Sequence, residues 1–235
     1  MELHHGKPNY SQSARDFTTA DELYGAALEY TEQYHEDTIQ HFRQISFDDI
    51  GPREFWREYI WTVCASGFNA KVVTTFYESY ALAIGPWDSY DSEESVESRA
   101  LHLYAHENKL AGILKCRKLM QALGWKDFRS KYLSSEEAMT SLPYIGSTTK
   151  YHLARNLGFS CVKPDLHLVR LARYYRFDSP LELCTYLSRH HGDRLGVVDF
   201  VLWAWSAAFG TKDIEESFEP CNQSSISSST VSWMP

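Results

Sequence analysis

Residues 134–176 concentrate the side chains whose types and spacing could do chemistry. Ser134 and Glu137, three apart, carry a capping-box signature that opens a short helix ending near Ser141. Leu142, Pro143, Tyr144, Ile145 and Gly146 leave room only for a tight turn before a second helix, predicted over 147–157 and stopped by Gly158. A glycine at a helix mouth lets the backbone approach a ligand. The amides of Gly146, Ser147 and Thr148 are expected to point outward, with the positive end of the helix dipole behind them. Such a mouth is an anion site that fits a DNA phosphate; the plainer reading is a helical hairpin with a structural glycine. Further on, Pro164 and Asp165 open another helix, aspartate being a favoured N-cap.

Charge is distributed unevenly around this segment. The chain carries a net −8, yet residues 109–176 hold 13 basic and 4 acidic side chains. Residues 1–108 hold 7 and 19, and residues 177–235 hold 3 and 8. A cationic stretch between acidic flanks is the composition of a chain that offers one face to phosphates, and equally that of a solvated basic helix surface. Lys109, Lys115, Arg117 and Lys118 fall on one predicted helix, 108–123, whose exposed side is expected to be cationic.

The elements that must position these residues read as helices. Residues 20–43 contain no proline and one glycine, and Leu23, Ala26, Ala27, Tyr30, Tyr34 and Ile39 recur at helical spacing, predicting one long amphipathic helix. Pro52 opens a second, with Phe55, Tyr59, Ile60, Val63 and Cys64 on one stripe, and a third is predicted over 70–83. The acidic run 88–97 reads as an exposed loop followed by a helix over 98–106. Gly124 closes the helix 108–123, further helices are expected over 181–187 and 197–208, and the Ser-rich 221–235 reads as flexible. Period-two alternation and internal repeats are absent, so the expected fold class is all-α with about ten helices.

Composition excludes several classes. Five widely spaced cysteines make neither a zinc ribbon, a disulfide framework nor an iron–sulfur set, and fit a reducing intracellular compartment, cytoplasmic beside the nucleoid or nuclear. The sequence offers no apolar run of membrane length, and its polar start, Met1 to Tyr10, predicts no secretory leader.

The hairpin Leu142-Pro143-Tyr144-Ile145-Gly146, the helix after it, and the spaced Asp165, His167 and Arg170 together resemble the helix-hairpin-helix DNA glycosylase superfamily, the group that includes endonuclease III. Asn108, Lys109, Ala111, Ile113, Lys115, Cys116 and Arg117 resemble that family's helix ahead of the hairpin. The resemblance covers about 54–208. It implies two helical subdomains with the active site in a cleft between them: a terminal one from 19–53 plus 164–218, and a central one from 54–163 containing the helix-hairpin-helix at 135–158. Residues 1–18 and 219–235 are then a flexible N-terminus and tail.

By the same resemblance Asp165 is the catalytic carboxylate of a glycosylase that flips a damaged or modified base out of duplex DNA. Members that also cut the strand use a lysine two residues after the hairpin glycine; here that position is Thr148, which implies a monofunctional enzyme with water as nucleophile. Lys150 and Lys163 are the alternative lyase nucleophiles. Gly146, Ser147, Thr148, Lys150, Lys109, Lys115 and Arg170 are the candidate DNA contacts, and Phe68 or Asn69 the wedge that fills the gap left by the base. The family's cluster cysteines are missing, so no metal is expected for chemistry, and the hairpin carbonyls are a candidate seat for a monovalent cation. The expected partner is double-stranded DNA, with no membrane and no obligate protein partner. Two rivals stand beside this: action on a hypermodified viral base, and a non-catalytic DNA-binding protein. His167, His190 and His191 read as surface or packing residues, and Asp199 as a satisfied core carboxylate or one lining the cleft.

Overall fold

Capping chemistry decides where the helices of this chain begin. The computed structural model describes residues 13–68 and 70–215, so Asn69 and the Ser-rich tail lie outside the described residues. Thr19 and Glu22 form a reciprocal capping box ahead of α1 (Ala20–Tyr34). The single helix expected over 20–43 is instead two, because the chain leaves helical geometry at His35 and restarts as α2 (Glu36–Gln44). His35 packs its ring against Tyr30 and Phe200 at the bend, and both Ile39 and Phe42 reach the core from the second helix. Residues 13–18, expected to be flexible, are tied down from Ser13 on: Ser13 and Asp16 cap a 3-10 turn whose Ala14 is fully buried.

Pro52 starts α3 (Pro52–Ala65), which is followed by α4 (Ala70–Ile84). The acidic run is a loop only in part: Ser92 caps α5 (Glu93–Leu103), and Glu93 and Glu94 sit in its first turn, where the helix dipole favours carboxylates. Then comes α6 (Glu107–Tyr132), in which Gly124 takes φ 72°, ψ 161°, outside helical geometry, so that it closes a first helical stretch as expected and a second begins beyond the kink. Phe128 and Tyr132 beyond the kink are buried, which holds the second half against the core. Ser135, one residue later than expected, caps α7 (Glu136–Met139), and α8 (Thr149–Asn156) follows the hairpin. The remainder is α9 (Leu166–Tyr174), α10 (Pro180–His191), α11 (Leu195–Phe209) and α12 (Lys212–Glu215). Among the described residues there is no strand, and no helix is long and apolar enough to cross a membrane.

The buried side chains fall into two clusters. One runs from Ile50 to Cys161 and is organised around α3, whose Phe55, Tyr59, Ile60, Val63 and Cys64 are all buried. The other joins residues 14–42 to residues 162–214 around α11, an almost wholly apolar helix that touches α1, α2, α9 and α10. Where they meet, the chain makes a close backbone approach at Gly158. Its φ is 83°, and a Cβ there would lie 3.0 Å from the Phe47 amide nitrogen and 3.1 Å from the Ile45 carbonyl oxygen. Arg194 donates to the carbonyls of both Ile45 and Gly158, binding the two crossings together.

Candidate functional site

The hairpin is fixed from below and open above. Leu142 and Ile145 are buried in the central core, and the Tyr59 hydroxyl lies 2.6 Å from the Pro143 carbonyl and 3.2 Å from that of Gly112. Gly146, Ser147 and Thr148 are exposed at the mouth of α8. The mouth departs from the expected three outward amides: the Gly146 N–H donates to Thr149 Oγ1 at 2.7 Å, leaving the amides of Ser147 and Thr148 as the candidate anion contacts. Thr148 occupies the N-cap without a side-chain cap bond, so its hydroxyl leaves the helix end open. Lys150 lies one turn in and pairs with Glu137 of α7, whose hydrogen bond raises the lysine above its ordinary pKa.

Asp165 caps α9. Its carboxylate accepts the Leu168 N–H at 3.1 Å while its own N–H donates to the Lys163 carbonyl at 2.8 Å, so the half-buried side chain is held at the helix end. Two residues earlier the Lys163 N–H donates to Asp199 Oδ1 at 3.1 Å. The other oxygen of Asp199 accepts from Arg155 Nη1 at 2.5 Å. Asp199 is 1% exposed; burial raises its pKa and the Arg155 guanidinium lowers it. Asp199 thus joins α8 to the loop that carries Asp165, and does so from α11 of the other cluster.

His152, on the same helix as Arg155, is partly buried. Burial, with Arg155 and Lys163 nearby, holds its imidazole well below the ordinary histidine value, so it is neutral near pH 7. Asn156, one turn on, donates to Glu58 of α3 at 2.9 Å. His167 contacts the Thr211 hydroxyl at 2.9 Å and fastens α9 to the turn before α12. The surface hollow lined by Phe47, Trp125, Arg129 and Leu133 includes none of the candidate residues.

The candidate phosphate contacts divide. Lys115 is exposed, and Arg170 is half-buried on α9. Lys109 corrects the expectation: it is 1% exposed, and its ammonium donates to the carbonyls of Cys64 at 2.8 Å and Ser66 at 2.7 Å. It caps the C-terminus of α3, where carbonyls lack helical partners, and lies 4.3 Å from the centre of the Phe68 ring. Arg117 is buried too and donates to the Ile84 carbonyl, so the expected cationic face of this helix is reduced to Lys115 and Lys118, the latter paired with Glu93. Phe68 is 44% exposed on the turn after α3.

Sequence reasoning missed Tyr144, Arg155 and His152. The available signal for Arg155 was Asp199: a buried carboxylate demands a counter-charge, and Arg155 is the basic residue on the inner face of α8.

No protein-family model matches the sequence, and no curated protein does. The fold has solved counterparts. The 8-oxoguanine DNA glycosylase of Thermotoga maritima superposes with a TM-score of 0.55 at 16% identity, over 80% of this chain and 98% of its own. The 8-oxoguanine glycosylase/lyase of Methanocaldococcus jannaschii, solved with a 15mer DNA containing 8-oxoguanine, gives 0.54 at 17% identity, over 79% and 97%. The chain therefore shares the all-helical fold of these two structures.

Proposed function

We propose that this chain, with the architecture of helix-hairpin-helix DNA glycosylases, is itself a DNA N-glycosylase that removes a damaged or modified base and leaves an abasic site. The observation that carries the reading is the coupling of an open helix mouth, Ser147 and Thr148, to the capping carboxylate Asp165 through Arg155 and Asp199. Ser147 and Thr148 grip a phosphate of the lesion strand, with Lys115 and Arg170 adding charge. The base, flipped from the duplex, brings C1′ of its sugar against Asp165. Cleavage of the glycosidic bond builds oxocarbenium character on the sugar; a fixed carboxylate stabilises it and orients the attacking water.

Water is the better nucleophile than Lys150 in this chain. Thr148 occupies the position from which a lyase lysine would attack, and Lys150, protonated and tied to Glu137, has no free amine to offer. The reaction calls on no cofactor. An oxidised purine is the first substrate to try, since both structural counterparts act on 8-oxoguanine.

The test is a panel of duplexes, each with one damaged or modified base and 8-oxoguanine among them, followed by hot alkali and a gel. Breaks at one lesion, absent for Asp165→Asn, are the expected result, and borohydride traps no covalent adduct. Breaks that form without alkali, with a trapped adduct, would replace this reading by a lyase. No break at any lesion, with duplex binding intact, would favour a non-catalytic DNA-binding protein.

A further inference from the structure

Tyr144 stands where the hairpin backbone is least hospitable to it. Its φ is 64°, in the left-handed region that residues other than Gly, Asn and Asp seldom enter. Room for it is made by Gly112, an otherwise unfavourable residue inside α6: a Cβ there would lie 3.1 Å from Cβ of Tyr144. Two locally poor choices, an aromatic in a left-handed turn and a glycine within a helix, therefore serve one side chain. That side chain does not complete either core. Tyr144 is 39% exposed and belongs to neither buried cluster nor the residues packed against them.

Its surroundings are a row of rings. His106 lies edge-on to Tyr144 at 6.4 Å and to Phe68 at 6.3 Å, so two exposed aromatics flank one histidine along the edge that runs from the α3–α4 turn to the hairpin. Below the row sits the buried ammonium of Lys109, 4.3 Å from the Phe68 ring centre. The row ends two residues before Gly146 and the anion-binding mouth. Exposed flat rings beside a backbone-gripping site, over a fixed positive charge, suit a nucleic-acid strand, whose bases stack on aromatic faces whatever their sequence.

We propose that Tyr144 is a DNA-stacking residue, acting with Phe68 to support the bases beside the nucleotide that is flipped out. This rests on the glycosylase reading and extends it from the phosphate grip to the base stack. Residues held in such sparsely populated backbone regions cluster at ligand-binding and active sites.

The probe is a duplex carrying a tetrahydrofuran abasic analogue with 2-aminopurine next to it. Tyr144→Gly is the chief variant, because glycine occupies the turn without strain, and Tyr144→Asn, another residue that tolerates it, is the second. Both are expected to bind the duplex about tenfold more weakly and to lose the change in 2-aminopurine fluorescence seen with wild type. Their thermal midpoints are expected to stay at the wild-type value or above it. Tyr144→Phe, which keeps the ring, restores most of the binding. Tyr144→Gly and Tyr144→Asn proteins that bind like wild type, in a protein that excises its base, would overturn the inference and leave the glycosylase reading standing. A wild-type protein that neither binds the analogue duplex nor cuts any lesion would overturn both.

Discussion

Replacing Asp199 by leucine removes one group from two connections at once. The carboxylate is enclosed, it faces Arg155 Nη1 at 2.5 Å, and it receives the Lys163 amide at 3.1 Å. Leucine leaves the Arg155 guanidinium buried without its counter-charge; breaking such a pair costs about 3–5 kcal/mol. The stranded Lys163 amide adds about 1–3 kcal/mol, partly overlapping with the first term, so a total of roughly 4–6 kcal/mol is expected. Asp199→Asn keeps an acceptor for the amide and loses the charge, and should cost about 2 kcal/mol. The double variant Arg155→Met with Asp199→Leu removes both charges and should recover most of the loss, since a hydrophobic replacement of a buried pair is often neutral. Urea unfolding reads these values as midpoint shifts at constant slope; with Arg155→Met alone costing about 3–5 kcal/mol and the double variant about 1–3 kcal/mol, the double-mutant cycle should return a coupling of at least about 4 kcal/mol. The recovered fold should still be slow. Its Lys163 amide has no acceptor, so the loop that aims Asp165 loosens, and excision is expected to fall on the order of a hundredfold with DNA affinity unchanged. A loss below about 1 kcal/mol for Asp199→Leu, or strict additivity in the cycle, would refute the idea that this pair ties the two subdomains together.

The remaining expectations separate chemistry from support. Asp165→Asn keeps an N-cap of nearly equal quality, so its unfolding midpoint should move by only a few tenths of a kcal/mol while excision is lost. Lys109→Met strands the Cys64 and Ser66 carbonyls and should cost about 2–4 kcal/mol in urea unfolding, yet leave the salt dependence of DNA binding untouched. Lys115→Ala should do the reverse, lowering the slope of log affinity against log salt by about one with no change in stability. His152 is held neutral in the folded chain and charges near pH 6.5 when unfolded, so its contribution is complete above that value and is lost as the pH falls. Stability measured from pH 7.5 to 5 should therefore fall less in His152→Gln than in wild type.

The architecture was legible because its signals are local. Helical periodicity, Pro52 and the Gly146 turn all act within a few residues, and they place the all-helical layout and the hairpin. The misplacements have local causes as well. Ser134 and Ser135 offer equivalent caps, and the second won because it satisfies the Ala138 amide. His35 breaks the first long helix for the sake of a contact with Phe200, which lies 165 positions further on and is invisible to any local pattern. Burial of cations was the least readable property. Lys109 and Lys115 are alike in sequence, six apart on one helix, yet one is sealed under the α3 terminus and the other open to water. What distinguishes them is the supply of unpartnered carbonyls from another helix, and only the tertiary arrangement reveals it.

The split origin of the second core bears on how this protein comes into being. Residues 50–161 can condense as soon as they have left the ribosome, since every buried member of that cluster lies within one continuous stretch. The other cluster cannot. Its central helix α11 is synthesised last but one and must find α1, some 170 positions earlier, across the already folded middle. Asp165 and Asp199 both lie in this late-arriving part, so the carboxylate becomes aimed only when α11 docks. During synthesis the nascent chain can expose a finished hairpin before Asp165 and Asp199 are brought together, so on the proposed reading the site is completed by the last long-range contact.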